Sequence, residues 1–178
     1  MHGVVSVLEE PHYSQVSQLW AELKQRFGVG SPQATAVPHF SYHVAGDYQL
    51  EKLPAILAET AAATPPFTVK ATGIGIFPGE LPVLYIPVAR SPELQALHQT
   101  LWLKLEAIAQ ESINYYAPNI WFPHITLGHS DITSANLGPI VTWLNNQLLD
   151  WDVRATNLTL LHDNGDLHVP LHRAMLEG

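Results

Sequence analysis

The chain has 178 residues, of which 47% are apolar and only 13% charged; this is a globular composition at a length that fits one domain with a substantial core. It contains no cysteine, which excludes disulfides, iron–sulfur clusters and thiolate chemistry, and no apolar run near the roughly 20 residues needed to span a membrane. A formal charge of −8 argues against an extended nucleic-acid surface, which needs many Lys and Arg contacts to phosphates, but leaves open a small anionic substrate or the end of an RNA.

Met1-His2-Gly3-Val4-Val5 enters a strand, read over about 4–8, without the basic start and cleavage site of a secretory signal, so a cytoplasmic location is expected. A helix follows from about Pro11 to Phe27. Its residues Val16, Leu19, Trp20, Leu23 and Phe27 fall on one stripe, and Gly28 is a natural stop. A loop through Gly28, Gly30, Ser31 and Pro32 leads to a strand at about 38–45, a helix at about 51–63 and a strand at about 67–77. The next strand is read at about 82–89. The helix after it, about 92–110, carries Leu94, Leu97, Leu101, Leu105 and Ile108, with Pro92 in its first turn. Ser112 to Pro123 leads to a strand at about 121–128. A helix at about 134–148 follows, with Thr133 or Ser134 able to cap it, and then a strand at about 152–161. Asn164-Gly165 signals a hairpin into a last strand at about 166–172.

This order is one unit written twice. Val69-Lys-Ala-Thr72 matches Val153-Arg-Ala-Thr156 at an offset of 84, and Pro38-His39-Phe40-Ser41 matches Pro123-His124-Ile125-Thr126 at 85. Leu19-Trp20-x-x-Leu23 matches Leu101-Trp102-x-x-Leu105 at 82. Two β-α-β-α-β units, about 3–78 and 82–173, plus a closing strand predict a single α+β domain with two sheets backed by helices.

His-x-Ser/Thr occurs four times, at His12, His39, His98 and His124, so composition alone produces it cheaply. His12 and His98 fall in helices, where residues two apart do not share a face, and read as surface or boundary histidines. His39/Ser41 and His124/Thr126 fall in strands, where i and i+2 point the same way, about 7 Å apart. Each strand then aims one imidazole and one hydroxyl into the same space. Paired imidazoles suit phosphodiester cleavage: one, neutral, takes a proton from the attacking oxygen, and the other, protonated, gives one to the leaving oxygen. The hydroxyls can donate to the non-bridging oxygens, and no metal or other cofactor is required.

These features resemble the 2H phosphoesterase superfamily, the 2′-5′ RNA ligase and cyclic phosphodiesterase family. The resemblance rests on the two Pro-His-x-Ser/Thr motifs, their spacing and the Gly73-Ile-Gly-Ile-Phe-Pro78 stretch. It implies two pseudo-symmetric lobes whose antiparallel or mixed sheets face a central cleft, with helices outside and His39, Ser41, His124 and Thr126 at its centre. It also implies metal-free opening, or reversible ligation, of a 2′,3′-cyclic phosphate or related diester on a nucleotide or RNA end. Ser41 departs from the usual Thr and lacks the methyl that helps fix the rotamer. His129 stands where many relatives carry an arginine.

Four further residues are candidates for substrate contacts: His43, expected on the face of His39 and Ser41; Phe77 and Tyr85, as platforms for a base; and His129. Trp121 and Phe122 read as wall. The rival readings are a nucleotide-binding protein without turnover, and a metal enzyme built on His39/His43 and His124/His129, for which Asp47 and Asp131 are the only close carboxylates. The sequence does not specify an oligomeric state.

Overall fold

The computed structural model describes residues 1–31, 37–164 and 167–178. Among the described residues, ten strands and four helices follow in chain order: β1 (His2–Val7), α1 (His12–Phe27), β2 (His39–Tyr48), α2 (Leu53–Ala62), β3 (Phe67–Thr72), β4 (Gly75–Phe77), β5 (Val83–Pro87), α3 (Pro92–Glu106), β6 (Ala109–Ser112), β7 (His124–Gly128), α4 (Leu137–Leu144), β8 (Asp150–Ala155), β9 (Asn157–Asp163) and β10 (His168–Met175). The helical stripes bury as the periodicity predicts. Val16, Leu19, Trp20 and Leu23 of α1, and Leu94, Leu97, Leu101 and Leu105 of α3, join one core with Phe40 and Tyr42 of β2 and Ile125 and Leu127 of β7. Each fully buried leucine contributes about 1.5–3 kcal/mol.

All strand pairs are antiparallel. The main sheet runs β10-β9-β1-β2-β7-β5-β4, with β6 also on β2, while β3 and β8 pair separately. From β9 to β4 this order is palindromic when the two sequence units are exchanged. The registers on the central line agree, because Phe40 lies opposite Ile125 and Val69 opposite Val153, partners related by the sequence offsets.

Several expectations need correction. The two sheets are unequal: the β2–β7 pair joins both units in a single eight-stranded sheet, and β3–β8 forms the other. The strands read at 67–77 and 152–161 each break in two. Gly73, at φ 77, turns the chain between β3 and β4, so the first half pairs in the small sheet and the second in the large one; Thr156 marks the equivalent break. The helix read to 110 ends at Glu106, and Ala109–Ser112 is a strand on β2. Helix α4 spans only Leu137–Leu144 and is entered through Asn136, not through a Thr133 or Ser134 cap. Gly165 of the expected hairpin turn, and Pro32, lie outside the described residues.

Candidate active site

The site rests on two β-bulges. In β2 the pairing with β1 passes from Val5↔Ser41 to Val4↔His43, which leaves Tyr42 as an extra residue. In β7 the pairing with β5 passes from Tyr85↔Thr126 to Leu84↔Gly128, which leaves Leu127 extra. Both bulges therefore follow the hydroxyl residue of a His-x-Ser/Thr motif. A bulge reverses the side-chain alternation beyond it, so the cleft face of β2 reads His39, Ser41, Val44, and that of β7 reads His124, Thr126, His129. The bulge also re-aims nearby backbone. Trp121 Nε1 donates to the Ser41 carbonyl and Trp20 Nε1 to the Thr126 carbonyl, each at 3.0 Å.

His39, Ser41, His124 and Thr126 line one cleft compartment of about 510 Å³. Phe40 faces Ile125 across the β2–β7 pair. His39 and Ser41 flank Phe40 on one strand of this antiparallel pair, and His124 and Thr126 flank Ile125 on the other.

The two imidazoles are held alike. His39 Nδ1 lies 2.8 Å from the Val37 carbonyl and His124 Nδ1 lies 2.7 Å from the Phe122 carbonyl. A carbonyl only accepts, so each Nδ1 carries the proton and each Nε2 is left for the cleft. Burial lowers the pKa of His39 from 6.5 to about 4, against the raising effect of the Val37 carbonyl, with His124 and His168 lowering it further. Burial also lowers His124, opposed by the Phe122 carbonyl.

A second compartment of about 590 Å³ adjoins the first and shares Met1, Val44, Val83, Tyr116 and His124 with it. Its wall is apolar and aromatic, including Phe77, Tyr115, Ile120 and Phe122. Phe77 stacks on Tyr85 with ring centroids 4.2 Å apart and meets His124 edge to face at 5.0 Å. Gly75 makes that stack possible, because a Cβ there would come within 2.1 Å of the Tyr85 ring.

The secondary candidates divide. Phe77 and His129 line the cleft. Tyr85 does not; it is buried behind Phe77 and His124 and supports both rings. His43 is also misplaced by the alternating pattern, because the bulge at Tyr42 sends it to the opposite face. There it is fully buried, with Nδ1 2.6 Å from the Tyr48 hydroxyl and Nε2 3.0 Å from Glu106. This separates it from His39 and dissolves one of the two histidine pairs of the metal reading. Among the described residues, no group of three or more His, Cys, Asp and Glu side chains is arranged to hold a metal ion.

Sequence reasoning missed two supports. His98 is no surface histidine: it is buried, stacked on Trp121 at 3.7 Å and 2°, with Nε2 3.1 Å from the Tyr42 carbonyl and 3.0 Å from that of Tyr116. It thus ties the β2 bulge to the short 3₁₀ turn Asn114–Tyr116. Its position, four residues after Leu94 on the buried stripe of α3, was the available signal. Tyr116 lines both compartments. Burial raises its pKa, while a hydrogen bond with the Ser41 hydroxyl lowers it. Nothing in the local sequence singles it out.

The family model of the 2′-5′ RNA ligase superfamily matches residues 11–167. Solved structures agree in fold. One described as a phosphoesterase aligns with a TM-score of 0.60 at 18% identity, over 99% of this chain and 98% of that one. E. coli LigT complexed with ATP aligns at 0.58 and 16%, over 99% and 97%. E. coli LigT complexed with 3′-AMP aligns at 0.55 and 18%, over 99% of each chain. No curated protein matches the chain in sequence.

Proposed function

This chain belongs to the 2′-5′ RNA ligase superfamily, and on that premise we propose that it is a metal-independent phosphoesterase acting on a 2′,3′-cyclic phosphate, or a related cyclic diester, of a nucleotide or RNA end. The observation that carries this reading is the matched pair of imidazoles. Each has its Nδ1 committed to the carbonyl two residues back, and both line one cleft with two hydroxyls.

In hydrolysis, one neutral imidazole takes a proton from water as its oxygen bonds to phosphorus. The other, protonated, gives its proton to the departing 2′ or 3′ oxygen, leaving a phosphomonoester and a free hydroxyl. Each role typically contributes about 10²–10⁴-fold. Ser41 and Thr126 donate to the non-bridging oxygens as charge gathers there. The deeper depression of His39, to about 4, favours it as the base and His124 as the acid. Ligation follows the same path with a 5′ hydroxyl in place of water: its oxygen bonds to phosphorus as its proton passes to the neutral imidazole, and the 3′ oxygen departs with the proton of the other imidazole, leaving a 2′-5′ diester. Phe77 and the aromatic compartment give a base a surface to stack on. Binding of ATP and 3′-AMP by LigT, a protein of the same fold, is in keeping with a nucleotide substrate.

The test is hydrolysis of the four nucleoside 2′,3′-cyclic monophosphates and of a short RNA with a cyclic end, in EDTA, by wild type and by the His39→Ala/His124→Ala double variant. Turnover by wild type alone is expected, and the product isomer assigns the acid and base. Equal turnover by both proteins, or none by wild type on any of the substrates, would end this reading.

A further inference from the structure

The charge of the cleft narrows the substrate class, and this step rests on the reading above. All eight lysines and arginines fall within the described residues, and none lines either compartment. Several are engaged elsewhere. Arg26 pairs with Glu22 at 3.2 Å, Lys70 with Asp150 at 3.2 Å, Lys104 with Glu59 at 3.3 Å, and Arg173 with Glu9. Arg90 donates to the Trp121 carbonyl at 2.9 Å.

Cationic capacity in the cleft rests instead with the imidazoles of His2, His39, His124, His129 and His168 and with the Met1 amino group. Most of this is committed. The Met1 amino group ion-pairs with Asp163 at 3.2 Å, and His168 Nε2 lies 3.7 Å from the same carboxylate. His2 stacks on His162 and accepts the Asp163 N–H on its Nδ1. His39 and His124 serve the reacting phosphate, which leaves His129 as the one uncommitted imidazole among the described lining residues. The second compartment, large enough for a nucleoside, is walled by apolar and aromatic side chains with no charged group but His124 and the paired Met1. A phosphate placed beyond the reacting one therefore meets no lysine or arginine, on a chain whose formal charge is −8.

We infer that the cleft selects a phosphodiester with a single negative charge on an otherwise neutral nucleoside: a small nucleoside cyclic phosphate lacking a 5′-phosphate, in preference to a 5′-phosphorylated nucleotide or the terminal residue of an RNA. The physical reason is that an added phosphate must give up water near like charge without a cation to replace it, and an unmatched charge of this kind discriminates strongly.

The experiment compares kcat/KM for adenosine 2′,3′-cyclic phosphate, its 5′-phosphorylated form and an adenosine dinucleotide with a cyclic end, at low and at high salt. The mononucleotide without the 5′-phosphate is expected to lead by at least about tenfold at low salt, with the gap shrinking as salt screens the repulsion. Val83→Lys, which adds a cation where the two compartments meet, is expected to narrow the gap. Equal or better use of the 5′-phosphorylated or dinucleotide substrate would overturn the inference, and so would a gap unmoved by both salt and Val83→Lys. If no cyclic phosphate is turned over, the catalytic reading fails by itself. Calorimetric titration with adenosine 2′-monophosphate and adenosine 2′,5′-bisphosphate still decides this inference: weaker binding of the bisphosphate supports it, and equal or tighter binding, or no binding of either, overturns it.

Discussion

The two His-x-Ser/Thr strands share one backbone plan and differ in how their side chains are completed. Both bulge one residue after the hydroxyl, both lend that residue's carbonyl to an indole, and both lock Nδ1 on a carbonyl two positions back. In β7 the hydroxyl belongs to Thr126, whose own methyl restricts its rotamer, and the position beyond the bulge supplies His129. In β2 the hydroxyl belongs to Ser41, which has no such methyl and lies by Tyr116, whose phenol pKa it lowers, and the position beyond the bulge is Val44. The backbone is symmetric where it must aim two imidazoles. The side chains diverge beyond the bulges, at Val44 and His129. Under the proposed function, the shared backbone plan handles attacking and leaving oxygens alike, and the differing side chains hold the rest of the substrate.

The largest expected effect removes an imidazole. His39→Ala and His124→Ala should each lower turnover by at least about 10²-fold, the lower range for one acid–base role, with circular dichroism unchanged. Near-normal turnover in either variant would break the equivalence of the two strands.

A pH profile sharpens the comparison. Burial holds both imidazoles below 6.5, with His39 near 4, so the form with one neutral and one protonated ring is most populated on the acid side of 6.5. A bell-shaped kcat/KM is expected, with two macroscopic pKa values that belong to the pair, its maximum below pH 6.5 and a fall at alkaline pH. A rate that only rises from pH 5 to 9 would exclude a protonated histidine acid.

The contrast between Ser41 and Thr126 predicts a smaller, asymmetric effect. Tyr116→Phe should lower kcat by roughly fivefold, the scale of one hydrogen bond of about 1 kcal/mol, by freeing the Ser41 rotamer. Ser41→Thr in the same chain should recover most of the loss, because the added methyl restores the constraint. A double variant no better than Tyr116→Phe alone would assign Tyr116 to some other role.

The smallest effect is on stability. The neutral forms of His39 and His98 are favoured in the fold, both with pKa values lowered to about 4, chiefly by burial. Folded pKa values below the unfolded 6.5 mean that this contribution is fully present above pH 6.5 and is lost as pH falls toward about 4. The melting temperature should decline over that window, and less steeply in His98→Gln. A flat profile in wild type would show that neither ring is held neutral by the fold.

Periodicity and the repeated motifs determined much of this protein: the order of strands and helices, the α+β class, the apolar stripes of α1 and α3, and His39, Ser41, His124 and Thr126 as residues sharing one space. These are local properties, because the spacing of apolar residues sets which face of a segment leaves water, and a period of two sets which side chains point together. Tertiary structure decided the rest. His43 lies on the far side of the sheet because a bulge cannot be read from composition; it exists only against the register of β1. His98 and Tyr116 reach Ser41 and its strand from elements 56 to 75 residues away, through a buried imidazole and a 3₁₀ turn, contacts that no local pattern encodes. The breaks at Gly73 and Thr156, and the single sheet that results, depend on which partner each half-strand finds. Local sequence sets the direction in which a side chain leaves its own backbone, while what it meets there depends on long-range pairing.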